Sequence, residues 1–409
     1  MIMRKTNCYI VYMVTICIAI SISCTRTVNP REYPEGIAVI EVTDPDPAIK
    51  IEDIYDASSV ELVALETTED FLLGNIQRLA VFEDRFFIVN SDRTILGLFD
   101  RNGKFIKKLH NVGRGPREYI VISDMAVDPV SRKVIFCDCF GNKIFVCDLD
   151  LNIEQMVRTE GYSPTVIAAC RNELVFQGLP YPPERIAMGG IYKESDAVLI
   201  DYNGDIVKGI IPAERNDKVS AFPGLHPMSF TATGNLLVIP GLSDLIYEVS
   251  PSLEEASPKY LLDFKMKNYK KIDYNKFPKL IKDINDIPMN LVELEREKYV
   301  YTGDHLYNTD SHLIIGYGQV NLPLCVYDKN SGKSITYDRW KVGGDEAMST
   351  VIDIPRTSYG DRVYSAMQVI DWKYMGLKTS LLAEMSDSIN KMDDFSNPVL
   401  VSFKLKDIK

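Results

Sequence analysis

The sequence predicts an all-β fold, a six-bladed β-propeller of four-stranded blades closed by an N-terminal strand, and three observations predict it. A unit of about fifty residues recurs along the 409-residue chain. Its turns read "DRNG", "DYNG" and "DKNSG", with Asn and Gly where a hairpin passes through positive φ. Its strands alternate, as in Val134 and Phe136 or Ile144 and Val146, so that one face of a sheet can pack on its neighbour.

The first three units run Arg85 to Leu109, Lys133 to Val157 and Glu173 to Ile210. The later ones are Asn235 to Leu262, His312 to Asp338 and Arg362 to Asp407. Aligned on Asp100, Asp148, Asp201, Ser250 and Asp328, successive intervals are 48, 53, 49 and 78 residues. The sixth unit has no outer strand after Asp407. A free strand before the first unit, Ser59 to Thr68, can complete it and remove an open sheet edge, and Gly36 to Val42 is the other segment able to do so. On this reading residues 57–409 form the propeller and residues 24–56 a tether.

Longer connections gather at two places in the unit: between its second and third strands, and between one outer strand and the next blade. In a propeller these open on the same side, so the insertions mark one working face. Gly178 to Asp196 and Asp371 to Asn397 are of the first kind. Pro212 to Pro227, residues 264–305 and Trp340 to Asp353 are of the second. Phe277, Leu280, Ile281, Ile284 and Ile287 fall at helical spacing, as do Leu381, Leu382, Met385 and Ile389 behind Ser380. Each stripe predicts a short helix, either docked on the rim or covering the channel.

The first 23 residues stand apart. Arg4 and Lys5 precede the apolar run Tyr9 to Ile22, too short and wrongly flanked for a spanning helix, and this reads as an export signal. The run ends "SISC", which resembles the lipobox of bacterial lipoproteins; the resemblance implies acylation of Cys24 after cleavage, although Ser21 stands where Leu is preferred. Acyl chains at about 0.8 kcal/mol per buried methylene would hold the protein on a membrane. Cleavage removes two positive charges and no negative ones, taking the formal net charge from −11 to −13. So acidic a surface repels phosphate backbones and argues against nucleic-acid binding. Five cysteines remain, Cys137, Cys139, Cys147, Cys170 and Cys325. They read as buried thiols, with a Cys139 to Cys147 bridge as the alternative.

The repeat, the stretch "GRGPREY" (Gly113 to Tyr119) and the ending "NPVLVSFKLK" resemble the six-bladed β-propeller lipoproteins common in Bacteroidetes, related in architecture to NHL-type propellers. The resemblance covers roughly Val60 to the C-terminus and implies an architecture and hardly any chemistry. Members commonly show Gly-x-Gly-Pro-Gly-Glu-aromatic at this turn. This chain keeps Gly113, Gly115, Pro116, Glu118 and Tyr119 but has Arg117 in place of the third glycine.

That stretch joins the outer strand of one blade to the inner strand of the next, where a bend alone accounts for its glycines and proline. Arg114, Arg117, Glu118 and Tyr119 are its binding candidates, the two guanidinium forks suiting a carboxylate or sulfate. Tyr181, Arg185, Tyr192, Trp372 and Tyr374 crowd two long loops on the same face and can stack on sugars or peptide side chains. His226 and His305 have no identifiable catalytic partner in the sequence. The expectation is a lipid-anchored envelope protein, on the periplasmic side of the outer membrane, whose loop face binds a protein, peptide or glycan without a cofactor. The alternative is a propeller enzyme with a metal at its axis, held by oxygens such as those of Glu118 converging from several blades.

Overall fold

The computed structural model describes residues 35–69, 71–159, 162, 165–177, 195–212, 227–231, 234–240, 243–267, 270–271, 296–300, 302–317, 323–338, 344, 355–374 and 387–409. The two stripes expected to form helices lie almost wholly outside them; Ile389 alone is described, buried in a short 3₁₀ turn, Ile389–Lys391.

Six antiparallel sheets follow one another along the chain. Blade one is β3 (Ile76–Phe82), β4 (Arg85–Asn90), β5 (Leu96–Asp100) and β6 (Phe105–Leu109). Blade two is β7 (Asp124–Asp128), β8 (Lys133–Asp138), β9 (Lys143–Asp148) and β10 (Ile153–Arg158). Blade three is β11 (Val166–Cys170), β12 (Glu173–Gln177), β13 (Ser195–Asp201) and β14 (Ile206–Pro212). Blade four is β15 (Met228–Phe230), β16 (Leu236–Val238), β17 (Leu245–Val249) and β18 (Ala256–Phe264). Blade five is β21 (Thr302–Asn308), β22 (His312–Tyr317), β23 (Leu324–Asp328) and β24 (Ser334–Tyr337), and blade six holds β25 (Thr357–Tyr359), β26 (Arg362–Met367) and β27 (Val399–Leu405). The first strand of each blade neighbours the first strand of the next, and β25 returns to β3, so the ring is closed.

Both faces of each central strand are covered. In β4, Phe86 and Ile88 pack toward blade six while Phe87 and Val89 pack toward blade two. In β8, Val134 and Phe136 face blade one while Ile135 and Cys137 face blade three. That is why "RFFIVN" and "KVIFCD" read as nearly continuous apolar runs: with a neighbour on each side there is no wet face. The core is a set of seams between blades rather than one central mass.

The marker aspartates fix the outer turns. Asp148 Oδ1 accepts the N–H groups of Asp150 at 2.9 Å and Asn152 at 2.8 Å. Asp100 and Asp201 do the same in their own turns. Each is an Asx turn that lets the hairpin reverse without a wasted donor.

Blade six takes its outer strand from the other end of the chain: β2 (Tyr55–Ala64) pairs antiparallel with β27, Val63 opposite Leu400 and Tyr55 opposite Leu405. Of the two candidates the Ser59 region therefore closes the ring. The other, as β1 (Ala38–Val42), runs parallel to β18 as a fifth strand of blade four. The span expected as a tether up to residue 56 is corrected accordingly: from Ala38 onward the chain is packed propeller, with Ile40, Val42, Ile51 and Ile54 all buried. A further two-residue pair, β19 (Lys270–Lys271) with β20 (Tyr299–Val300), sits in the connection between blades four and five.

Candidate functional site

Two regions attract attention, the axial channel and the bend between blades one and two. The channel encloses about 560 Å³ and is lined by all six inner strands, a volume within the range of small-molecule sites. Its polar side chains, however, are used to tie blades together. Arg78 Nε donates to Asp124 Oδ1 at 2.6 Å, and Asp124 Oδ2 accepts the Ile167 N–H at 2.9 Å, linking blades one, two and three. On the other side the Asn308 N–H is shared by Ser229 Oγ at 3.1 Å and Ser358 Oγ at 3.0 Å, and Asn308 Nδ2 donates to Phe230 O at 2.5 Å, linking blades four, five and six. The Glu83 N–H donates to Tyr359 OH at 3.3 Å and joins blade one to blade six. This wall works as a hydrogen-bonded belt.

The bend is built from the inside. Tyr119 is fully buried, edge-on to the stacked pair Phe136 and Phe145, and its hydroxyl donates to Thr94 O at 2.8 Å and Leu109 O at 3.1 Å. Burial pushes its phenol well above the ordinary value, so the proton stays in place. Glu118 folds back over Gly113 and Gly115, its Oε2 accepting the Gly115 N–H at 2.7 Å. A Cβ on Gly113 would meet that carboxylate, which would have to swing aside. Buried Lys143 closes the bend from below, Nζ donating to Gly115 O at 2.8 Å and Glu118 O at 2.6 Å. Arg117 has no left-handed backbone, so replacing the family's glycine costs no strain.

Arg114 and Arg117 remain exposed, and among the described residues neither guanidinium makes a hydrogen bond or ion pair. One of their companions is corrected: Tyr119 is a core anchor, while Glu118 is exposed with one carboxylate oxygen turned onto the Gly115 N–H. Trp372, expected as a loop aromatic, is likewise fully buried in the seam between blades five and six, whereas Tyr374 is 84% exposed. Tyr181, Arg185, Tyr192, His226 and Cys24 lie outside the described residues. His305 is a core residue against Tyr307.

The structure adds two neighbours that sequence reasoning missed. Ile122 N–H donates to Arg93 O at 2.7 Å, and the Asp138 carboxylate joins Ile120 N–H at 2.8 Å to Phe140 N–H at 3.2 Å. Arg93 and Phe140 thus flank the bend, and Phe140 is 70% exposed. The available signal was their position in loops between second and third strands, on the same face as the bend.

For a metal, the axial arrangement invoking Glu118 is not assembled: its carboxylate is turned onto Gly115, and Asp124 is paired with Arg78. Among the described residues one His/Asp group comes together, His312, Asp328 and Asp407. Both His312 nitrogens already have partners, Ser311 Oγ at 2.7 Å and Lys406 O at 2.9 Å, and Asp328 Oδ2 accepts the Ile408 N–H at 3.1 Å. The group docks the C-terminal tail on blade five. All five described cysteines are free, and burial pushes the Cys147 and Cys325 thiols up to about 12, leaving them un-ionised and inert. Cys139 lies just beyond β8 and is half-buried.

The fold is shared with a solved structure of a Bacteroides fragilis protein described as exported: 18% identity, TM-score 0.72, covering 90% of this chain and all of that one. A member of the DUF4221 family from Bacteroides vulgatus aligns over 86% of this chain and all of its own, at 11% identity and TM-score 0.49. No curated protein matches. Residues 36–404 match the model of the family described as Domain of unknown function (DUF4934), and the chain belongs to that family.

Proposed function

We propose that this chain is an exported recognition protein of the cell envelope, held by a lipid on Cys24 and binding an anionic group of an envelope protein, peptide or glycan on its loop face. The observation that carries the reading is the pair Arg114 and Arg117, exposed and, among the described residues, without acidic partners, on a bend that Tyr119 and Lys143 anchor. In a protein of formal net charge −11, two exposed guanidinium groups on one bend, unpaired among the described residues, favour an incoming anion. Tyr374 and, by sequence, Tyr181, Arg185 and Tyr192 belong to the same face. Export is supported by the basic and apolar leader and by the description of the Bacteroides fragilis protein of like fold. Among the described residues no helix is long and apolar enough to cross a membrane. The periplasmic side follows from Thr25, Arg26 and Thr27 standing first after Cys24, where surface display favours acidic residues.

The test compares wild type with Arg114→Ala/Arg117→Ala as immobilised bait for detergent-solubilised envelope at about 150 mM salt, where the screening length is about 8 Å. Wild type retains a partner that the double variant loses; the same retained set on both, or none on either, removes the reading. Cys24→Ser moves the protein from the membrane to the soluble fraction, and persistence on the membrane removes the anchor.

A further inference from the structure

The loop face holds more than two arginines. Arg93, Arg114 and Arg117 lie on segments joined by hydrogen bonds, and Phe140, on the segment that Asp138 ties to Ile120, is 70% exposed. Among the described residues none of the three guanidinium groups has a hydrogen bond or ion pair. Arg93 is itself held at φ 58, a left-handed conformation uncommon for a side chain of its size and kept by its packed surroundings.

Apart from those of Arg114 and Arg117, the main-chain donors from Gly113 to Ile120 are, by contrast, spent. The N–H groups of Gly113, Glu118 and Tyr119 bond to Tyr119 O, Gly115 O and Asn111 O. Those of Gly115, Ile120, Phe140 and Gly141 bond to the carboxylates of Glu118 and Asp138. A peptide laid along this surface would find few amides to pair with, and main-chain pairing is where extended peptides gain much of their affinity. The patch has guanidinium forks and a flat apolar ring to offer. Their chemical complement is a chain of saccharide rings bearing carboxylate or sulfate groups, each ring presenting a C–H face to Phe140 and its anion to an arginine.

We propose that Arg93, Arg114, Arg117 and Phe140 form a binding platform for an acidic polysaccharide. The proposal rests on the reading of the loop face as an anion-binding surface and names the class of ligand. Carboxylate and sulfate share the recognition chemistry, and the test separates them.

The full-length chain in detergent is titrated by biolayer interferometry with polygalacturonate, dextran sulfate, neutral dextran and poly-L-glutamate, with thermal melts reporting that each variant is folded. At least one acidic polysaccharide binds and neutral dextran does not; the responding arm identifies the anion. Arg114→Ala/Arg117→Ala weakens that binding at least tenfold, and Arg93→Ala and Phe140→Ala each at least threefold. Arg132→Ala, an exposed arginine on the opposite face, leaves it unchanged. Poly-L-glutamate bound as tightly as the polysaccharides and insensitive to Phe140→Ala overturns the polysaccharide and leaves the anion-binding face standing. No binding of any polyanion, or equal loss with Arg132→Ala, overturns both.

Discussion

Asp124 sits where three blades meet, and its two oxygens answer to different neighbours: one to the Arg78 guanidinium, the other to the Ile167 amide. Asp124→Ala takes the carboxylate from the buried Arg78 guanidinium and the acceptor from the buried Ile167 N–H, and stability falls by about 3–5 kcal/mol, read from the shift of the urea midpoint. A loss under about 1 kcal/mol would mean the pair contributes no more than a surface ion pair. Asp128 links blade two to blade three in the same manner, accepting the Asn172 N–H at 2.8 Å and the Tyr202 hydroxyl at 2.9 Å. Burial raises its carboxyl pKa, but the Ser131 and Asn172 amides and the Tyr202 hydroxyl outweigh burial and hold it below 3.8. A depressed folded-state value adds stability above the unfolded carboxyl's pKa, and the contribution drains away as pH falls through the folded value. The stability gap between wild type and Asp128→Asn is therefore full at pH 7 and narrows below about pH 4; a gap independent of pH removes the assignment. The Ser131 amide is three positions from Asp128, but the partners that join blades were not legible in the sequence, because each lies more than forty positions from its carboxylate.

At the scale of the element, the bend Gly113–Tyr119 separates what is local from what is not. Its glycines and proline announce a turn, and the turn is there. The Glu118 bond to the Gly115 N–H is local, whereas Tyr119 rooted among Phe136 and Phe145 and the support from Lys143 depend on blade two arriving underneath. Lys143→Met leaves the Gly115 and Glu118 carbonyls without their donor. It costs about 1.5–3 kcal/mol and weakens polyanion binding while touching neither exposed arginine, since the platform loses its support. Unchanged stability and binding would show that the bend stands without Lys143. Trp372 illustrates the opposite error: in a loop sequence it reads as a contact residue, yet a large aromatic beside two blades gains more by filling their seam.

For the whole molecule, closure is the decisive event, and Arg362 clasps it. From β26 it reaches across β27 to donate to Ser402 Oγ at 2.9 Å and, in β2, to Ser59 O at 2.6 Å. Arg362→Ala lowers stability by about 1.5–3 kcal/mol and raises hydrogen exchange first in β2 and β27, the edge that opens when the ring unlocks. Protection lost evenly across all blades would contradict a closure-specific role. At the other end of β27, Asn397 of the "NPVLVSFKLK" ending takes the Leu73 N–H at 2.6 Å and donates to Glu66 O at 2.8 Å. The blade count, the strand alternation and the turn chemistry were written along the chain, because hairpin geometry and the two-residue period act between near neighbours. Which N-terminal strand closes the ring, which channel groups bond to each other, and which arginines and aromatics end up beside one another on the loop face came only with folding. Those choices depend on segments far apart in the chain meeting at a seam, where burial and hydrogen-bond satisfaction, and not local propensity, set the outcome.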